Sequence, residues 1–277
     1  MTQETKKEEF KIITQRPDMG LWFDPVGYQY IRAYNVNSGI KHEVGPEEYD
    51  CPTCFNRGYV MGIKNDKATA DDCECKAIRK NWDAIKKSGM KELMEQHSFE
   101  NYIVGEPWQR ILRDAVRKFG EDPKGWLLLC GQTGGGKTHL ASALCRSLAA
   151  RYMEIKYMSW VEAAPALKAL SMDAEPRENR MDTYKRAQVL FIDDLFKCGN
   201  MNRREVRVTD ADLRLAHELL EYRNVHNKVT IVTSELDPDR MRELDPALLG
   251  RMVESCKGNI FTIPYGDSHN YRLHKGA

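Results

Sequence analysis

The sequence predicts an α/β protein: a parallel five-stranded sheet with helices on both faces, preceded by a small cysteine-bearing domain. Three observations predict it. From Gly125 onward, short apolar runs alternate with helical stretches, beginning with WLLLC and ending with NIFTIP; such runs separated by helices are the pattern of strands buried on both faces. A glycine-rich turn joins the first run to the first helix. All four cysteines that precede residue 130 fall between Cys51 and Cys75.

The length of 277 residues suits about two domains at roughly 150 residues each. Lys and Arg number 42 against 41 Asp and Glu, a formal charge of +1, so no global basic field points to nucleic acid or a membrane; such a partner would have to be met by a local patch. Hydrophobic residues make up 42%, which excludes wholesale disorder, and no apolar run approaches a membrane span. The opening MTQETKKEEFKIITQ lacks the apolar core of a signal peptide, so a reducing cytoplasm is expected, where eight cysteines do not form disulfides.

Residues 1 to about 18 are charged and patternless. The aromatics Trp22, Phe23, Tyr28, Tyr30 and Tyr34, running into Gly39, Gly45 and Pro46, predict a short strand or hairpin. The cysteine segment follows, with Gly58 and Gly62 read as turns. KAIRKNWDAIKKSGMKELMEQ has the composition of a basic helical connector, broken at Ser88–Gly89. The expected domains are therefore residues 1–75, a linker over 76–100 and a nucleotide-binding domain over 101–277.

Gly131-Gln132-Thr133-Gly134-Gly135-Gly136-Lys137-Thr138 fits G-x-x-x-x-G-K-[ST] after an apolar strand and before a helix, the context that a phosphate-binding loop needs. Glycines let backbone N–H groups wrap phosphates, and the helix N-terminus adds its positive dipole. Lys137 is placed to reach the β- and γ-phosphates of ATP and Thr138 to ligate magnesium. Val189-Leu-Phe-Ile-Asp193-Asp194 is an apolar strand delivering carboxylates at its C-terminal end, where α/β ligands bind. Asp193 is expected to hold Mg2+, directly or through water, and Asp194 to polarise the attacking water. The run Lys228 to Glu235 ends in polar residues that sit beside the γ-phosphate if this strand lies between the first and third. An Arg, Arg251, follows on a helix starting near Pro246.

This succession resembles the AAA+ order of P-loop, acidic strand, sensor 1 strand and arginine finger. More narrowly, QVLFIDDLFK, VTDADLRLAHELLEYR, TIVTSEL and ALLGRMVE, with CPTCFNRGYV, CECK and SGMKELMEQHSFENYI before them, resemble the bacterial and phage DnaC/DnaI-type replicative helicase loaders. The resemblance implies a P-loop core of strand order 5-1-4-3-2 without a full helical lid. It also implies slow, assembly- or DNA-dependent ATP hydrolysis to ADP, self-association through AAA+ interfaces, a DnaB-type helicase partner engaged by the N-terminal domain, and placement of that helicase on single-stranded DNA. Lys137, Asp194, Arg251 and Glu235 would carry catalysis. Glu235 stands where Asn is usual at sensor 1, leaving Thr233, Ser234 or Glu235 for that position; Arg272 is the substitute for sensor 2.

Cys51-Pro-Thr-Cys54 and Cys73-Glu-Cys75 supply the ligand count of a four-cysteine Zn2+ site, with His42 able to replace one ligand; the alternative is four reduced thiols. Structural zinc contributes roughly 10–16 kcal/mol to folding of a domain whose own core is thin. Cys130, Cys145, Cys198 and Cys256 read as buried fillers. For single-stranded DNA the candidates are Arg203, Arg204 and Arg207, or Tyr157, Ser159 and Trp160, against a reading of both groups as solvated charge and core aromatics. Arg223 reads as a buried ion-pair partner or a nucleotide-proximal cation; Phe99 and Tyr102 read as packing or as neighbours of the adenine. Competing functions are a transposition-associated ATPase, a non-hydrolysing ATP-bound zinc adaptor and a small-molecule kinase.

Overall fold

The structure, a computed structural model, describes residues 11–13, 15, 25–37, 51, 53, 54, 57–76, 85, 87–151, 153–197, 208–266 and 269–271, with backbone alone for 25–28 and 31. Trp22, Phe23, Gly39, His42, Gly45, Pro46, Cys198, Arg203, Arg204, Arg207 and Arg272 lie outside the described residues. The chain divides into two compact units, Met1–Asp83 and Ala84–Ala277, a boundary that falls inside the 76–100 segment.

In the first unit, β1 (Lys11–Ile12), β2 (Tyr59–Lys64) and β3 (Lys67–Asp72) form an antiparallel sheet in that order, joined by α1 (Pro25–Asn37). The expectation of a strand or hairpin around Tyr28–Tyr34 is wrong: this segment is helix. Aromatic β propensity is overridden by a helical face, because Tyr30, Ala33, Tyr34 and Asn37 recur at i, i+3, i+4 and i+7. Ala33 is fully buried with Ile13, Met61 and Ile63, and Tyr30 and Tyr34 pack on that cluster. Asn37 locks the helix end to the sheet: its Nδ2 donates to Ile13 O (2.7 Å) and Met61 O (2.8 Å), and its Oδ1 accepts from Met61 N (2.8 Å). The charged N-terminal stretch is likewise not wholly patternless, since Lys11 and Ile12 pair with Ile63 and Gly62. Gly58, at φ 80, does turn the chain. Gly62 instead lies inside β2 opposite Thr69, and the turn belongs to Asn65 and Asp66, at φ 51 and 58, the two left-handed positions of a two-residue hairpin loop. Alternation along β2 turns Met61 and Ile63 toward α1, while Val60 shares a buried cluster with the four cysteines.

The second unit contains α2 (Met90–Gln96), α3 (Pro107–Glu121), β4 (Trp126–Gly131), α4 (Lys137–Ala150), β5 (Ile155–Ser159), α5 (Trp160–Ala169), a 3-10 turn, α6 (Ala174–Arg186), β6 (Val189–Asp193), α7 (Asp210–Val225), β7 (Val229–Thr233), α8 (Pro238–Leu244), α9 (Pro246–Cys256) and β8 (Ile260–Ile263). All five strands are parallel, in the order β5-β6-β7-β4-β8. Counted within this sheet, that is 2-3-4-1-5, the expected order read from its other edge. Trp126, Leu128, Cys130, Leu190, Ile192 and Val232 share one core with α5, α7 and α9. The alternate residues Leu127, Leu129, Phe191 and Ile231, fully buried, turn to the opposite face, crossed by α4. Gly89, at φ 73, precedes α2, and α2 and α3 pack on α4. No helix among the described residues is long and apolar enough to cross a membrane.

Candidate nucleotide site

The end of β4 feeds the phosphate loop. Gly131 stands at φ 95, where a Cβ would come within 2.2 Å of Ile263 O, and Gly136 enters α4 at φ 85 with Tyr102 Cε2 2.8 Å from its would-be Cβ. No L side chain fits either place, so the glycines hold the loop tight against β8 and Tyr102. The loop and the α4 N-terminus line a cleft of about 680 Å³, together with Asp194, Lys197 and Glu235. Lys137 is buried, its Nζ donating to Gly131 O (2.8 Å) and Gln132 O (2.7 Å). Burial lowers its pKa, opposed by Glu235 and Asp194.

Asp193 closes β6 beneath the loop, 8% exposed. Its Oδ1 accepts from Thr138 Oγ1 (2.9 Å) and Thr233 Oγ1 (2.6 Å), its Oδ2 from Tyr157 OH (3.1 Å). Burial raises its pKa, with a smaller push from Asp194, against the hydroxyls that hold it ionised. β7 does lie between β4 and β6, and its last residue, Thr233, touches both aspartates, accepting from Asp194 N at 2.9 Å. Ser234 is fully buried and latches to Leu195 O (2.8 Å). Of Thr233, Ser234 and Glu235, it is Glu235 that lines the cleft.

Lys197 escaped the sequence reading. Its Nζ lies 2.9 Å from Asp194 Oδ2 and 2.9 Å from Glu235 Oε1; no spacing rule announces the second contact, because Glu235 lies just beyond the end of β7, far from Lys197 in the sequence. Tyr157, a candidate either for DNA contact or for the core, gives its hydroxyl to Asp193. Trp160 is 2% exposed and packs edge-on against Phe196 (5.5 Å), so it offers no face to a base.

His97, Tyr102, Ile103 and His139 also line the cleft. The His97 and His139 rings stand 4.5 Å apart and Tyr102 meets His139 edge-on at 5.3 Å; burial pushes the pKa of both histidines down and that of Tyr102 up to about 12. Phe99 does not line the cleft; it is buried with Arg117 over its ring (5.2 Å). The later chain returns to the loop, Tyr271 N donating to Gly134 O at 3.1 Å.

Arg251 is not at this cleft. It sits on α9, pairs with Glu221 of α7 and is about half exposed. Arg223 is neither an ion-pair partner in the salt bridges seen nor nucleotide-proximal: fully buried, it donates to Tyr184 O, Lys185 O, Ala187 O, Val229 O and Thr230 Oγ1.

In the first unit the Sγ atoms of Cys51, Cys54, Cys73 and Cys75 lie within 4.8 Å of one another, all buried. Cys51 to Cys73 is 3.7 Å and Cys54 to Cys75 3.3 Å, close to the sulfur spacing of about 3.8 Å that 2.3 Å bonds to a tetrahedral zinc require. Gly58 N donates to Cys54 Sγ at 3.2 Å, a bond that steadies a thiolate. Burial pushes the Cys51 thiol up, but bonds from the Cys54 and Thr53 backbones outweigh it and bring it to about 7; burial raises Cys73. The donor set fits zinc.

The ATPase family associated with various cellular activities (AAA) matches residues 127–257. XkdC of the phage-like element PBSX, from Bacillus subtilis (strain 168), is 31% identical over 233 residues, covering 80% of this chain and 85% of XkdC. The chain belongs to the same family as XkdC. Its second unit is an AAA ATPase domain, an α/β P-loop core. Two solved structures share that fold with this XkdC relative: the DnaC helicase loader, 21% identical over 62% of this chain and 98% of that one, at a TM-score of 0.50, and the replication initiator DnaA bound to AMPPCP and single-stranded DNA, 21% identical over 65% and 53%, also at 0.50.

Proposed function

We propose that this protein is an ATP-dependent replicative helicase loader, which binds a hexameric DnaB-type helicase and assists its placement on single-stranded DNA. The observation that carries the reading is the coexistence in one chain of a complete P-loop cleft and a separate four-cysteine unit. The first would supply a nucleotide-dependent change of state; the second is a compact module with a cysteine cluster able to hold a metal, suited to gripping a partner rather than to chemistry. The fold likeness to the DnaC helicase loader and to DnaA with single-stranded DNA supports the same class.

In this reading the N–H groups of residues 132–138 and the α4 dipole take the ATP phosphates. Lys137 exchanges the Gly131 and Gln132 carbonyls for β- and γ-phosphate oxygens. Thr138 and Asp193 would hold magnesium, which when bound neutralises phosphate charge; the Thr138 hydroxyl, now a donor to Asp193, can turn to offer a lone pair. Asp194 accepts a proton from the attacking water. Arg251, directed away from its own cleft, serves a neighbouring copy, and Cys51, Cys54, Cys73 and Cys75 hold Zn2+.

Phosphate release measured with and without single-stranded DNA, together with capture of the host's replicative helicase, tests the proposal. Nucleotide-dependent capture and DNA-stimulated release are expected. Turnover without any helicase capture would remove the loader and leave an ATPase with another client.

A further inference from the structure

Three carboxylates converge on this cleft: Asp193 beneath the loop and Asp194 and Glu235 on its wall. Asp193 is matched to a cation and Asp194 to water, but Glu235 has no such task, and a bare carboxylate there would repel a third phosphate. It is not bare. Glu235 bonds the Thr133 side chain in the phosphate loop and stands 2.9 Å from Lys197 Nζ. The same ammonium lies 2.9 Å from Asp194 Oδ2. It is near enough to Lys137 for the two like charges to oppose each other.

An ammonium has three N–H donors. Two point at Asp194 and Glu235, and the Lys197 side chain, a third exposed, lines the cleft, leaving the third donor for an incoming oxygen. The backbone is bent to bring it there: Asp194 and Phe196 both adopt the left-handed region, at φ 57 and 63, and Lys197 N closes the turn on Asp194 O at 2.9 Å. Two non-glycine residues in that region within three positions cost energy that the local structure must hold in place.

We infer that Lys197 is a γ-phosphate-binding residue, the second cation beside Lys137, held at the cleft wall by Glu235 and Asp194, so that the site distinguishes ATP from ADP. The inference rests on the nucleotide-site reading above. Glu235 is then a positioning residue: it acts through Lys197.

Calorimetric binding of ADP and of a non-hydrolysable β,γ-imido ATP analogue to the full-length chain, with magnesium, tests this. Lys197→Met should lower affinity for the analogue about 10- to 100-fold, the range for one charged hydrogen bond, while ADP affinity shifts less than about threefold. Lys197→Arg should keep the preference. Adding Glu235→Gln to Lys197→Met should recover part of the loss, because it removes the uncompensated acid. An unchanged ratio of analogue to ADP affinity, or equal loss for both, would overturn the inference by leaving Lys197 a scaffold. Should Lys197→Met not fold, Lys197→Gln is measured by the same ratio. If wild type binds neither nucleotide, the site reading itself falls, an outcome distinct from the unmoved ratio.

Discussion

Replacing Arg223 by Met should destabilise the second unit by about 4 kcal/mol. The guanidinium is completely buried at the end of α7 and donates at 2.5–3.1 Å to four backbone carbonyls and one hydroxyl. Those carbonyls end α6, lead into β6 and open β7, so one side chain ties three elements together. A hydrogen bond to a charged group contributes roughly 1.5–3 kcal/mol, but burying the cation is costly, a cost visible in a pKa lowered to about 9 by burial. About 1 kcal/mol net per carbonyl is the balance of those two terms. Met keeps the apolar stem packed, so the loss isolates the donors.

For a unit of this size the change corresponds to a fall in Tm of roughly 8–16 °C. Urea denaturation followed by tryptophan fluorescence is the assay, since Trp126 and Trp160 are buried in the same core. Arg223→Lys, with three donors on a flexible stem instead of a planar five-donor fork, should recover less than half of the loss. A Met variant within about 1 kcal/mol of wild type would refute the reasoning by showing that water replaces the donors. A Lys variant as stable as wild type would show that charge, and not the fork, is what the site needs.

Lys137→Ala should abolish nucleotide binding, whereas Asp194→Asn should bind ATP and lose turnover; equal affinity in wild type and Lys137→Ala would sink the assignment. Chelation of reductively purified protein should unfold the first unit and weaken helicase capture while basal ATPase survives, and metal analysis showing no zinc would defeat that expectation. Arg251→Ala chains mixed with Lys137→Ala chains should recover activity at mixed interfaces, because each supplies what the other lacks; mixtures that never exceed the sum of their parts, with assembly intact, would return Arg251 to its pair with Glu221.

The sheet was legible because its signals are local. Each parallel strand is an apolar run bounded by helices, and the glycine-rich turn and paired aspartates mark where two strands end. Side-chain partners across the sheet were not legible in the same way. Tyr157, Asp193 and Thr233 come from three strands and meet only once the strand order is known. Lys197 reads as an ordinary basic residue after an acidic strand until the left-handed turn folds it back on Asp194. Tyr30 and Tyr34 carried a β signal that yielded to the helical spacing of Ala33 and Asn37, a spacing present in the sequence but masked by aromatic propensity. Arg223 suggested an ion pair because a buried charge usually has an opposite charge; here the ends of α6 and β7 supply carbonyl dipoles instead.

The distribution of cations gives the site its logic. Lys137 and Lys197 both line the cleft and belong to the same chain as it. If both bind phosphate as read above, binding and recognition of ATP need only one copy. Arg251 lies on α9, away from the cleft and held by Glu221. A charge that develops on the γ-phosphoryl oxygens only in the transition state is therefore met incompletely by a lone chain. A guanidinium arriving from a neighbour raises turnover by roughly 10³–10⁵ in nucleotide hydrolases that use one, without altering how tightly the ground state binds. If Arg251 serves a neighbouring copy as proposed, this separation of binding cations from the catalytic one would make the ATP-bound state long-lived in an isolated copy and short-lived in an assembly. The proposed loader, which would hold a partner until assembly is complete and release it afterwards, requires that order of lifetimes.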